Sequence, residues 1–208
     1  DAAAAQPESS SESPLFLYLD LSRKVLRNAA ELEKANPEFA ELLATVGEDN
    51  FQKARYIYAR SYYKKALDLL PDYTRALNGL GNFHFFALED WEKAVEYYEA
   101  SLKADPNGTA ALFGKGASLH YIGRRAESND LMDRVLSSDI TRRGRADAKV
   151  IRYYKTEANQ YKALNYWMAG DPRKAREFVD AAKQYSADSE EVNYLSGVLH
   201  FDAGQKPE

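Results

Sequence analysis

The side chains able to do chemistry are few and scattered. His84, His120 and His200 have no i,i+4 partner, so a metal site would need three separate helices to converge, and we read them as structural. The chain of 208 residues has no cysteine, which removes disulfides, thiolate metal ligands and cysteine nucleophiles. Gly114-Lys115-Gly116 is a lone GxG without the preceding strand or the downstream acidic partner of a dinucleotide-binding fingerprint, and the repeat register explains Gly116 as a packing glycine. Glu8 to Glu12 and Asp188 to Glu191 gather carboxylates on expected surface, where paired acids without a cavity do no acid–base work. Asn107-Gly108-Thr109 matches a glycosylation acceptor, yet directly after Pro106 it reads as a turn between helices. No nucleophile, base and oxyanion set can be assembled. The expectation is a protein that is not an enzyme, with no cofactor and no metal.

The elements that would position these residues are helical. Apolar residues recur three and four apart, as in Ala94, Tyr97, Tyr98 and Leu102, and no segment alternates with period two. Breaks are expected at Pro37, Gly47, Pro71, Pro106, Gly123, Gly170 and Gly204. No run approaches the roughly 18 apolar residues of a membrane span, the longest being Leu15 to Leu19 before Asp20. A net charge of -4 argues against nucleic-acid binding, which depends on clustered Lys and Arg. Residues 1–13 hold nothing large and apolar and read as a flexible leader. That leader fits the polar tether left when a targeting segment is removed, or a boundary of convenience.

The breaks repeat. Ala59 and Ala94, Leu67 and Leu102, Pro71 and Pro106, and Gly81 and Gly116 are each 35 apart. Gly170 and Gly204 are 34 apart, while Gly123 and Gly170 are 47 apart, an excess of 13 residues. Placed in one helix, that excess lengthens it by about 20 Å. The run from Arg145 to Ala169, free of proline and glycine, is the candidate.

A period near 34 with a helix-turn-helix in each unit resembles the tetratricopeptide repeat. The second unit reads Leu77-x2-Leu80-Gly81-x2-His84, then Ala94-x3-Tyr98, then Pro106, with one extra residue assigned to the turn near Leu88 and Glu89. The first keeps Ala59-x3-Tyr63, Ala66 and Pro71, but GEDN interrupts its first helix at Gly47. The third has Leu112, Gly116, Leu119 and Ser128-x3-Met132, with Ile140 in place of the proline, and the fourth has Gly170, Ala175 and Val179. The resemblance implies an all-α chain of helix-turn-helix repeats stacked into a short right-handed solenoid. Its parts would be a leader (1–13), a capping-helix region (14–39) and repeats over about 40–71, 72–108, 109–140 and 141–189, with a half repeat at 190–208. Small residues at Ala59, Gly81, Ala94 and Gly116 would let paired helices approach, while Tyr63, Tyr98 and Met132 fill the gap to the next pair.

In that family the inner helices line a groove, which here implies Arg75, Asn78, Asn82 and Phe85 in the second unit. Phe113, His120 and Tyr121 follow in the third, and Gln160 and Trp167 in the fourth. Asparagine amides donate to and accept from peptide backbone, which suits a peptide groove; facing water is the alternative for Asn78 and Asn82, and inter-repeat core is the alternative for the aromatics. Residues 141–155 carry Arg142, Arg143, Arg145, Lys149, Arg152 and Lys155 against Asp147. With Tyr153 they form a second candidate surface on the inserted helix, or a solvated helix start. The expected function is a non-enzymatic interaction scaffold of a bacterial envelope, of exported or lipoprotein type, holding a protein partner through the groove or the insertion. The alternative is a self-associating assembly subunit of a transporter or envelope complex, exposing Trp91, Tyr153, Tyr154 and Trp167. A lipid anchor ahead of Asp1 and a homo-oligomer are both compatible with these readings.

Overall fold

The structure, a computed structural model, describes residues 20–22, 32–138 and 148–204. The expected fold class is found: every regular element among the described residues is helical. By their contacts they form two compact units, divided between Glu89 and Asp90. The first unit holds α1 (Leu32–Gln52), α2 (Tyr56–Leu69) and α3 (Thr74–Asn82), which runs on into a π turn, Phe83–Ala87. The second holds α4 (Trp91–Ala104), α5 (Thr109–Tyr121), α6 (Arg125–Ser137), α7 (Ala148–Met168), α8 (Pro172–Tyr185) and α9 (Glu190–Gly204). Within each unit, successive helices pack against one another.

One pattern explains why these sequences pair. Ala59, Tyr63 and Ala66 on α2 recur as Ala94, Tyr98 and Ser101 on α4, as Ser128, Met132 and Val135 on α6, and as Ala175, Val179 and Ala182 on α8. All are at most 2% exposed. Spacings of four and three put each trio on one helix face. In the trios of α2, α4 and α6 the large member lies against a glycine of a neighbouring helix. A Cβ added at Gly114 of α5 would stand 2.5 Å from Tyr98 Cε1, and one at Gly116 would stand 2.8 Å from Met132 Cε. In the first unit Tyr63 is clamped from both sides: Cβ atoms at Gly47 and Gly79 would come within 2.6 Å and 2.7 Å of its ring. Tyrosines filling the gap are therefore found as expected. The glycines that receive them, Gly47, Gly79 and Gly114, were not singled out for that role.

Turn chemistry keeps the same register. Ala54, Glu89, Gly123 and Gly170 all take positive φ, at 55°, 52°, 83° and 79°. Each is the left-handed residue that ends a helix, a conformation in which only glycine escapes a steric cost. Asp90 and Asp171 then cap α4 and α8, accepting from Lys93 N at 3.0 Å and Lys174 N at 3.1 Å.

Two expectations are corrected and a third is found. The breaks at Pro37 and Gly47 do not occur, because α1 runs through both. Gly47 is kept helical by the Tyr63 ring seated on its bare face, and Pro37 forfeits a single intrahelical bond near the helix start. The extra residue of the second repeat is not in the turn. Thr74 to Trp91 is one residue longer than Thr109 to Arg125, and the surplus is taken up by the π turn, whose bonds span one residue more than α-helical ones. The elongated helix is present as α7, with 21 residues against 13 in α5 and in α6; residues 139–147 lie outside the described set, and with them Arg142, Arg143 and Arg145.

Candidate functional site

In the first unit α3 carries Arg75, Asn78 and Asn82, and the π turn carries Phe85. Arg75 is engaged already. Its guanidinium forks onto Glu48 of α1, with Nε donating to Oε1 at 2.7 Å and Nη2 to Oε2 at 2.6 Å, and Glu41 stands 3.7 Å away. Hydrogen bonding to Glu48 raises its pKa still further above the ordinary arginine range, so the charge serves the α1–α3 contact. Asn78 keeps a buried Oδ1 without a hydrogen-bond partner. Phe85 lies edge-on to Phe86 at 4.7 Å, and Phe86, 60% exposed, reaches back to Phe51 at 6.2 Å.

In the second unit α5 and α7 bring together residues that the sequence named separately. Phe113 meets Tyr153, Tyr154 and Tyr161 edge-on, with centroids 6.0, 5.5 and 5.8 Å apart. His120 touches Tyr121 and Tyr161 at 5.2 and 5.3 Å, and Trp91 stacks on Tyr121 at 5.0 Å. Such edge-to-face arrangements place positive ring edges on negative faces. Burial raises the hydroxyl pKa of Tyr161, helped by Tyr121 and Glu157, and pushes that of Tyr153 up to about 12. Tyr121 and Tyr153 remain about half exposed. Of the aromatics expected to be exposed, only Tyr153 is: Trp91, Tyr154 and Trp167 are half-buried, and Trp167 packs on the Ala163, Val179 and Leu199 core. Gln160 leaves Nε2 buried without a partner.

Beneath the rings runs a polar network that the sequence did not reveal. His120 Nδ1 donates to Asn165 Oδ1 at 2.6 Å, and Asn165 Nδ2 donates to Ser128 Oγ at 3.0 Å and Asn129 Oδ1 at 2.9 Å. Asn165 is 1% exposed and fully used, so it fixes both the ring orientation and the tautomer of His120. Burial lowers the His120 pKa, Arg125 adds to that, and Asn165 opposes it. Lys162, also buried, pairs with Asp133 of α6 and lies 4.2 Å from the centre of the Phe178 ring. Thr156, Asn159, Lys162 and Asn165 form a stripe three apart that winds round α7, and all four are buried. Polar residues at such spacing read as a solvated face, and only their burial and the partners of Lys162 and Asn165 on α5, α6 and α8 show otherwise.

The amino-terminal part of α7 also borders a cavity of about 220 Å³, lined by Lys149, Arg152, Tyr153, Thr156 and Glu157 with Ser186 and Ser189 from the α8–α9 turn. Among the described residues no group of His, Asp or Glu is placed to hold a metal, and no helix is long and apolar enough to cross a membrane.

A tetratricopeptide repeat family model matches residues 47–108 and, overlapping, 84–147. The chain is 32% identical over 84 residues to the Photosystem I assembly protein Ycf3 of Acaryochloris marina, which is 38% of this chain and 45% of that protein. It thus spans under half the length of this curated relative. Among solved structures it is similar to PilF of Pseudomonas aeruginosa (16% identity, 82% of this chain and 71% of that one, TM-score 0.70). PilW, a widely conserved type IV pilus biogenesis factor, is similar at 17% identity, covering 95% and 88%, with a TM-score of 0.67. YrrB, a repeat protein with an unusual peptide-binding site, is similar at 20% identity, covering 86% and 90%, with a TM-score of 0.62. At such identities the structures speak for the fold alone. With the repeat model on 47–147 and the recurring buried trios of α2, α4, α6 and α8, the chain is a tetratricopeptide repeat protein.

Proposed function

We propose that the protein is a non-enzymatic scaffold that holds a protein partner on the aromatic face of α5 and α7, extended along the inserted part of α7. The observation that carries this reading is the ring cluster of Phe113, His120, Tyr121, Tyr153 and Tyr161, whose outer members are half exposed although their inner members are fixed by packing and by Asn165. Rings already held in place lose little freedom on binding, and tyrosine adds a hydroxyl to a large apolar surface. Asn78 and Asn82 on α3 belong to the proposal as secondary contacts, whereas Arg75 does not, since Glu48 occupies it. The repeat boundaries expected from the sequence and an envelope location are part of the same reading.

A self-associating assembly subunit is the second reading. It is supported by the highly exposed Ile57 (80%) and Tyr194 (76%) and by the assembly role in the name of the curated relative. Capture of partners by the immobilised chain, wild type against Tyr121→Ala with Tyr153→Ala, tests the first. Loss of a captured protein with an unchanged melting temperature is expected, and an unchanged capture pattern would overturn it. Light scattering over a concentration series tests the second, which requires a mass above that of one chain.

A further inference from the structure

The residues that lengthen α7 do more than extend it, because they supply one wall of the cavity whose other wall is the α8–α9 turn. At about 220 Å³ the space is below the usual range for small-molecule sites, roughly 300 to 1,000 Å³, and suits a single side chain. Thr156 lines it, 5% exposed, and its Oγ1 is buried without a hydrogen-bond partner. A helical threonine ordinarily satisfies its hydroxyl on the carbonyl four residues earlier. That bond is not made here, so a buried donor is left for something else. A buried hydroxyl left unmet is destabilising, which is reason to expect an occupant.

The charge around the cavity narrows the choice. Arg152 lines it, is exposed, and makes no hydrogen bond or ion pair among the described residues. Lys149 lines it as well. Ser186 offers a second hydroxyl from the opposite wall. Two carboxylates oppose an anion: Glu157, which lines the cavity and whose carboxyl pKa is raised by burial and then by Glu191, and Glu191 itself, which accepts a hydrogen bond from Ser189 of the lining at 2.8 Å.

We propose that this cavity is a socket for the side-chain carboxylate of one acidic residue of a peptide partner, paired with Arg152 and hydrogen-bonded by Thr156 and Ser186. It rests on the scaffold reading and gives it a partner chemistry. The arginine fork matches a carboxylate in plane, and the two hydroxyls can donate to the remaining lone pairs.

The test is an NMR titration of the full chain with N-acetylglutamate α-amide, following the backbone amides of residues 149–157 and 186–189. Saturable shifts in the millimolar range are expected, with binding about tenfold weaker or worse for N-acetylglutamine α-amide, the neutral isostere. Arg152→Gln should weaken the glutamate probe by about tenfold, the worth of one charge-assisted contact. Thr156→Val, which removes an unmet hydroxyl at constant shape, should weaken it while the fold is kept, and Glu157→Gln should tighten it. The proposal is overturned if the two probes shift these amides alike, if both Arg152→Gln and Thr156→Val bind as wild type, or if no saturable shift is seen. Equal binding of N-acetylalanine, an α-carboxylate without a side-chain acid, would overturn the side-chain assignment. Failure of the socket is distinguishable from failure of the scaffold: a null titration with Tyr121→Ala and Tyr153→Ala still losing a captured protein removes the socket alone.

Discussion

Substituting Gly114 by alanine sets two opposed effects against each other inside one helix. Alanine is the better helix former by about 1 kcal/mol, so with nothing nearby the change would stabilise α5. Here the new methyl would stand 2.5 Å from Tyr98 Cε1 and 2.8 Å from Cε2, closer than any real Cβ contact, so the ring must retreat by nearly 1 Å to reach ordinary contact at about 3.4 Å. Tyr98 is 1% exposed, and burial raises its hydroxyl pKa far above the ordinary tyrosine range, so it has nowhere open to go. Overpacking of this kind costs about 1 to 3 kcal/mol, and after the propensity gain the net loss is about 1 kcal/mol or more. At roughly 2 to 4 °C per kcal/mol for a chain of this size, the melting temperature should fall by a few degrees. Gly197→Ala is the control: it lies in α9 with nothing within 4 Å of an added Cβ, and it should raise the melting temperature. Circular dichroism at 222 nm during heating reads both. If Gly114→Ala melts at or above wild type, the close approach of Tyr98 to α5 is wrong, and with it the packing register of the second unit.

Four other expectations follow from the same structure. Gly123→Ala, at φ 83° with open space around it, should cost about 1 kcal/mol through the backbone alone, while Ala54→Gly should give back part of the strain of its positive φ; urea titration checks both. His120 has a lowered folded-state pKa, so its contribution is full above the ordinary histidine range and is lost as pH falls through the folded value; melts between neutral pH and pH about 5 should show a drop that His120→Gln flattens. Glu157 has the opposite sign, a raised carboxyl, so Glu157→Gln should stabilise at neutral pH and not below the ordinary glutamate range, as paired melts would show. Arg152→Ala with Tyr153→Ala should impair partner capture more than Asn78→Ala with Asn82→Ala in the same pull-down, and equal effects would move the surface off α7.

The repeat architecture was legible because it is written in small residues. A small residue at Ala59, Ala94, Ser128 and Ala175, followed four later by a larger one, is a packing rule that survives without any view of the partner helix. The receiving glycines were harder, because Gly79 and Gly114 look like any glycine in a helix until the ring seated on each is seen. Helix continuity through Pro37 and Gly47 was misread for a related reason: local propensity argues for a break, and the Tyr63 ring, sixteen residues on from Gly47, overrides it. The candidate surface was half legible. Phe113, His120, Tyr121 and Tyr153 were named, but their assembly into one cluster depends on α5 and α7 lying side by side. Asn159, Lys162 and Asn165 were invisible as core, since polar periodicity carries no sign of whether the facing element brings water or a matching polar group.

The π turn at Phe83–Ala87 bears on how such an array can change length over generations. Inserting one residue into an α-helix ordinarily rotates everything beyond it by about 100° and turns a buried face outward. A single wider turn absorbs the surplus within the helix itself, so Trp91 still opens the next one. Deletion of one residue from FHFFA would therefore bring the stretch from Thr74 to Trp91 to the length of its counterpart from Thr109 to Arg125.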